Sequence, residues 1–189
     1  MAFTRQVANT PSAYGWVSIG FHWVVALGVI GLYPLGLYID SLSYYDPAYR
    51  VVPDWHKGIG ILLAATLIAR LLWRVMQTHP SHIQTHTRFE RLATKVVHSA
   101  LYILLLVVFI SGYMISTADG RAISVFGWFE VPALPAIIDN QEDVAGDIHF
   151  YVATTLIVLA GLHAAAALKH HLIDKDTTLT RMLGVKETS

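Results

Sequence analysis

The chain contains no cysteine. That excludes disulfides, thiolate-bound iron–sulfur clusters and C-x-x-C-H haem attachment, so any metal is held by His, Met or carboxylate. Charge is also scarce. Only 14% of the 189 residues are Asp, Glu, Lys or Arg, against 54% apolar, a composition suited to a bilayer rather than to water. The 13 cations and 13 carboxylates cancel, which leaves no basic field to attract nucleic acid and excludes it as a partner. The opening residues, MAFTRQVANTPSAYGW, lack a positive-then-apolar pattern with a small-residue cleavage site, so no removable signal peptide is expected. There is no internal repeat and no low-complexity segment.

What the chain does have is four apolar spans, at about 17–38, 55–75, 93–115 and 148–168. Each is near the ~20 residues that cross a bilayer as a helix. The expected fold is all-α: an integral membrane four-helix bundle, with residues 1–189 as one membrane domain and an outer loop at about 116–147. Lys57 and Arg70 soften the ends of the second span. The charges orient the bundle. Of the 13 Lys and Arg, only Arg50, Lys57 and Arg121 fall on one side, while Arg5, Arg70, Arg74, Arg88, Arg91, Lys95, Lys169, Lys175, Arg181 and Lys186 fall on the other. The positive-inside rule then makes both termini cytoplasmic. Of the 13 carboxylates, only Glu90, Asp174, Asp176 and Glu187 are on that cytoplasmic side, so the outer face is acidic. Trp128 and Phe129 in the outer loop suit a membrane interface.

Histidines within the spans carry the chemistry. An imidazole in a membrane span is rare and generally faces the bundle interior or a functional site. His149 and His163 lie 14 residues apart on the fourth span, about 3.9 turns and roughly 21 Å, hence on one helix face. Because the spans alternate in direction, His56 falls at the depth of His149, and His22 at the depth of His163. Two facing imidazoles in each of two layers suit two bis-histidine haems, which leave no open iron position and so favour electron transfer over oxygen binding. The same 14-residue step leads from His22 to Gly36 and from His98 to Gly112. Glycine there admits a flat macrocycle, although ordinary packing through small residues explains it equally. From His56 the step leads to Arg70, which a haem propionate would satisfy, as Lys57 would at the outer haem. His98 is a rival inner ligand. His79, His82 and His86 read as a solvated loop, since Pro80 breaks their register. Copper, or a proton relay in a transporter, is the other use of such layers.

The segments GFHWVVA, DWHKGIGILL, DIHF and GLHAAAALKHH, and the tail HLIDKDTTLTRML, resemble the bacterial cytochrome b561 family over nearly the whole chain. The resemblance implies a four-helix protein of the bacterial inner membrane with two haem b groups, whose axial ligands are His22, His56, His149 and His163. It also implies exchange of electrons with ubiquinone or another quinone at the cytoplasmic side, where His170 matches the histidine implicated in the family. Arg74 and His98 are further quinone candidates. His170 or His171 would deliver protons, since histidine titrates near neutral pH.

Family members of this size include a superoxide oxidase, which implies a superoxide:ubiquinone oxidoreductase. The acidic outer face departs from that, because a cationic approach would speed capture of an anion. It suits instead a basic periplasmic protein partner, with the chain as electron carrier between that partner and quinone. A haem-free scaffold or transporter is the third class.

Overall fold

The computed structural model describes residues 2, 3, 6–81, 83 and 85–186. Of the positions singled out above, Arg5, His82 and Glu187 lie outside the described residues, as does the side chain of Lys186. Four long helices dominate: α1 (Trp16–Ser41), α2 (Ala48–Met76), α3 (Arg88–Thr117) and α4 (Gln141–Leu172). A short α5 (Thr178–Met182) follows. Strand β1 (Ala2–Phe3) pairs antiparallel with β4 (Val185–Lys186). Between α3 and α4, β2 (Ile123–Val125) pairs antiparallel with β3 (Phe129–Val131).

All four long helices extend beyond the apolar spans, and at α2 and α3 the extension begins at a cap. The Oδ1 atom of Asp46 accepts from the N–H of Ala48 at 2.9 Å, and the intervening Pro47 suits a helix start. Thus α2 begins well ahead of Trp55. At the head of α3, Thr87 and Glu90 form a capping box: the Glu90 N–H donates to Thr87 Oγ1 at 3.2 Å, and the Thr87 N–H donates to Glu90 Oε2 at 2.9 Å. Helix α4 carries Glu142 and Asp143 in its first turn and Lys169, His170 and His171 in its last, the charge order that a helix dipole favours.

Each of the four is long and apolar enough to cross a membrane. Their large side chains are nonetheless bare: Leu27 is 61% exposed, Leu162 63% and Val75 84%. Apolar surface on this scale calls for an apolar solvent, and lipid is that solvent.

The segment expected as a plain outer loop differs on two counts. Its last residues belong to α4, and its middle folds into the β2–β3 hairpin. The turn residues Phe126 and Gly127 have φ of 53° and 72°, and the N–H of Trp128 donates to the carbonyl of Val125 at 2.9 Å. Two successive positive φ angles match the twist of paired strands. Val125 is fully buried, while Trp128 remains 74% exposed. Phe126 lies on α2, where its ring is 5.3 Å from that of Trp55. A Cβ on Gly58 would stand only 2.8 Å from Phe126 Cζ, so glycine is what permits this contact.

By packing, the chain forms two compact units. One comprises Met1–Ala26, Thr66–Ala100 and Leu159–Ser189 and holds His22 and His163. The other comprises Leu27–Ala65 and Leu101–Val158 and holds His56 and His149. In the His56 unit, a Cβ on Gly28 of α1 would overlap the Leu63 side chain of α2, 2.7 Å from its Cδ1. There Tyr33 of α1 and Thr154 of α4 share a hydroxyl hydrogen bond of 3.1 Å. In the His22 unit, Trp73 Nε1 of α2 donates to Ser18 Oγ of α1 at 3.1 Å, and Trp23 Nε1 donates to the Met182 carbonyl at 2.8 Å.

Candidate haem-ligating histidine pairs

In the His56 unit, the rings of His56 and His149 are 6.3 Å apart, centre to centre, at an interplanar angle of 69°. In the His22 unit, the rings of His22 and His163 are 6.5 Å apart, also at 69°. Two imidazoles bound to one metal from opposite sides need about 2 Å for each bond and about 1 Å from nitrogen to ring centre, hence about 6 Å in all. Both pairs fit that span. His98 and His163 are only 5.0 Å apart, too close for a metal in line between them. The geometry therefore favours His22 over His98 as the partner of His163.

The two pairs are held differently. His149 Nδ1 donates to the backbone carbonyl of Val108 at 3.0 Å, with Ser111 Oγ at 3.2 Å. Ser111 Oγ in turn donates to the carbonyls of Val107 and Val108 at 2.7 and 3.1 Å. A ring whose Nδ1–H is fixed on a carbonyl presents a bare Nε2, the tautomer that a metal requires. Across from it, His56 Nδ1 is buried without a hydrogen-bond partner, a cost of about 1–3 kcal/mol for a polar group left so. Glycines flank both rings. A Cβ on Gly36 would lie 3.4 Å from His56 Cε1, and one on Gly112 would lie 3.0 Å from His149 Cε1. The contact at Gly112 is tight, so glycine there gives the His149 ring its room, whereas a Cβ at Gly36 would make an ordinary contact.

In the His22 unit, Arg70 Nη2 stands 3.2 Å from His22 Nδ1. A guanidinium has only donors, so Nδ1 accepts and the ring proton sits on Nε2. Ligation through Nε2 would require Arg70 to release Nδ1 so that the ring proton can move there. Arg74 lies in the last turn of α2. Lys57 is engaged with Asp54 at 2.8 Å, one turn away on α2. With Arg121, Trp55 and Phe126, Lys57 lines a cavity of about 480 Å³. Arg121 is itself paired with Asp119, and its hydrogen bonds hold the Asp119 carboxyl below the usual carboxylate range.

His170 stands in a cluster that the sequence reading did not assemble. Its ring lies 4.6 Å from that of His86. His86 Nε2 donates to Asp176 Oδ2 at 2.9 Å. The His86 side chain is thus withdrawn from the solvent expected around its loop, while His79 remains exposed. Burial pushes the Asp176 carboxyl up, but the side-chain and backbone hydrogen bonds of Thr178 and the His86 contact outweigh it, so the group sits below its ordinary range. The tail motif DKDTTLTRM contains Asp176 and Thr178. It was visible as a resemblance, but nothing in it pointed to His86.

Residues 13–185 match the family described as prokaryotic cytochrome b561. The chain is 51% identical over 184 residues to cytochrome b561 homolog 2 of Escherichia coli (strain K12), covering 97% of this chain and 96% of that one. It is 29% identical over 177 residues to the probable superoxide oxidase CybB of Yersinia pestis, covering 92% of this chain and 97% of the other. Cytochrome b561 homolog 1 of Escherichia coli (strain K12) is likewise 29% identical, over 167 residues, 87% of this chain and 93% of the relative. With four membrane-length helices and near full-length likeness, the chain belongs to the prokaryotic cytochrome b561 family, haem b membrane proteins of electron transfer in the bacterial inner membrane.

Proposed function

We propose that this chain carries electrons across the membrane between the periplasmic side and the quinone pool, using two b haems. His56 and His149 hold one at the periplasmic level, and His22 and His163 hold the other at the cytoplasmic level. The observation that carries the reading is the matched ring separation of 6.3 and 6.5 Å in the two pairs. Haem bound between two histidines supplies one-electron chemistry at an iron with no open position. The Val108 carbonyl orients His149. Arg70, now at His22, and Lys57, now at Asp54, would each hold a propionate of the haem on their own side. Ubiquinone or a related quinone is reduced at the cytoplasmic edge, near His170, Arg74 and His98, and His170 or His171 delivers the protons. Both termini are cytoplasmic.

The periplasmic electron donor on this reading is superoxide. Support comes from the relative named as a probable superoxide oxidase. A second reading, in which a basic periplasmic protein exchanges electrons with quinone through this chain, is favoured by a specific feature. Arg121 and Lys57, the cations nearest the periplasmic cavity, are each paired with a carboxylate, so little free positive charge remains to draw in an anion.

Rapid mixing separates the two. The oxidised, haem-loaded protein in detergent is mixed with superoxide, with and without ubiquinone, while haem absorbance is followed; a quinol pulse runs in parallel. Fast reduction by superoxide and reoxidation by quinone are expected for the enzyme. Reduction by quinol alone, with superoxide loss at the background rate, overturns it and leaves the carrier.

A further inference from the structure

His86, His170 and Asp176 bring three metal-ligating atoms within 4.8 Å of one another, and none of the three belongs to the histidine pairs described above. We propose that this cluster is a binding site for a divalent cation of the zinc type, one that fastens the segment ahead of α3 to the turn after α4.

The donor set selects the ion. Two imidazoles and one carboxylate suit a borderline cation, whereas magnesium and calcium prefer oxygen donors. Spacing agrees. His86 Nε2 and His170 Nδ1 stand 2.9 and 3.2 Å from Asp176 Oδ2. Ligands about 2.0–2.1 Å from a tetrahedral ion stand about 3.3 Å apart, so these two distances need lengthen by only a few tenths of an ångström, and the third lies within 4.8 Å.

The surroundings agree as well. Asp176 is only 5% exposed and both histidines are 13% exposed. The Thr178 N–H donates to Asp176 Oδ1 at 2.8 Å, which leaves Oδ2 to face the two rings, as an orienting partner does around a metal. His170 Nδ1 is buried and makes no hydrogen bond. It has Asp174 Oδ2 at 2.8 Å and Asp176 Oδ2 at 3.2 Å, off the line of a ring N–H. An imidazole nitrogen facing two carboxylates without a hydrogen bond is placed as a ligand is placed.

Lys169 stands 2.7 Å from Asp174 and 3.5 Å from Glu90, while Arg91 is turned to the His86 carbonyl. Lys169 keeps Asp174 in an outer position, so three protein ligands are expected, with water in the fourth.

The test uses the haem-loaded protein in detergent, stripped with chelator and dialysed against zinc chloride, with metal counted per chain. One zinc per chain at micromolar concentration is expected. His86→Ala and Asp176→Asn should each weaken binding at least tenfold, whereas His79→Ala should leave it unchanged. No stoichiometric zinc, or binding that survives both substitutions, overturns the site. The haem spectrum checks the fold of each variant. Should the variants misfold, diethyl pyrocarbonate labelling of the unaltered protein decides: zinc should block modification of His86 and His170, and labelling indifferent to zinc overturns the proposal. With zinc on His170, proton delivery to quinone falls to His171; none of these readouts involves quinone, so failure of the site leaves the electron-transfer reading intact.

Discussion

The unit that holds His56 and His149 and the unit that holds His22 and His163 set their imidazoles almost the same distance apart, yet they support them by opposite means. Around His149 the support is neutral and comes from the backbone. The Val108 carbonyl takes the ring proton, Ser111 stands beside it, and Gly112 admits the ring. Around His22 it is cationic. Arg70 reaches the ring nitrogen, and a third histidine, His98, crowds His163. His149 is already in the tautomer that binds a metal. His22 is held by a guanidinium that must release its ring nitrogen first. On the two-haem reading, one site is pre-organised and the other is sensitive to its charged surroundings.

The most severe way to break this comparison is to remove one pair. His56→Ala with His149→Ala should take haem content from two per chain to one, read by haem-to-protein ratio, and leave the His22 site spectrally intact. Survival of both haems would mean that the histidines are paired differently. His163→Ala should likewise remove one haem. His98→Ala should remove none, because its 5.0 Å approach to His163 leaves no room for an in-line metal. Loss of a haem in His98→Ala would exchange the roles of His98 and His22.

Next in size is the charge. Arg70→Gln should lower the midpoint potential of the His22-site haem in a redox titration and leave the other unmoved. A unit charge about 10 Å away at an effective dielectric near 20 is worth about 1.7 kcal/mol, or about 70 mV for one electron. An equal shift at both haems would show that Arg70 acts through the whole fold and not on its own site.

These particulars also show what could be read from the sequence. That His56 would meet His149, and His22 would meet His163, followed from four apolar spans of alternating direction and from helical periodicity; both are properties of spacing alone. The support of His149 was not legible. A backbone carbonyl accepts a proton whatever side chain Val108 carries, and Ser111 looks like any small residue of a membrane helix. The Asp176–His86 bond joins residues 90 positions apart, and no local pattern announces such a closure. The β2–β3 hairpin was hidden for another reason. Its turn begins with Phe126 at a φ of 53°, where Asn or Asp would have signalled the turn, and only Gly127 hinted at it. The starts of α2 and α3 are legible: Asp46-Pro47 and Thr87-x-x-Glu90 are start signals written in the sequence, ahead of the residues where hydropathy rises.

The finest test separates the two glycines. Gly112→Ala would put a Cβ 3.0 Å from His149 Cε1 and 3.3 Å from Nδ1. The ring must yield, yet the Val108 carbonyl holds it, so a cost near the low end of the 1–3 kcal/mol for overpacking is expected, with a shifted spectrum for that haem. Gly36→Ala meets His56 Cε1 at 3.4 Å, an ordinary contact, and His56 has no hydrogen bond tying its ring down. Helix propensity then dominates, and replacing glycine inside α1 should stabilise the protein by up to ~1 kcal/mol, seen as a higher unfolding temperature with unchanged haem content. If Gly36→Ala instead expelled a haem, the space at Gly36 would belong to the macrocycle and not to the imidazole, and the symmetry suggested by the 14-residue step would be restored at the expense of the contact seen here.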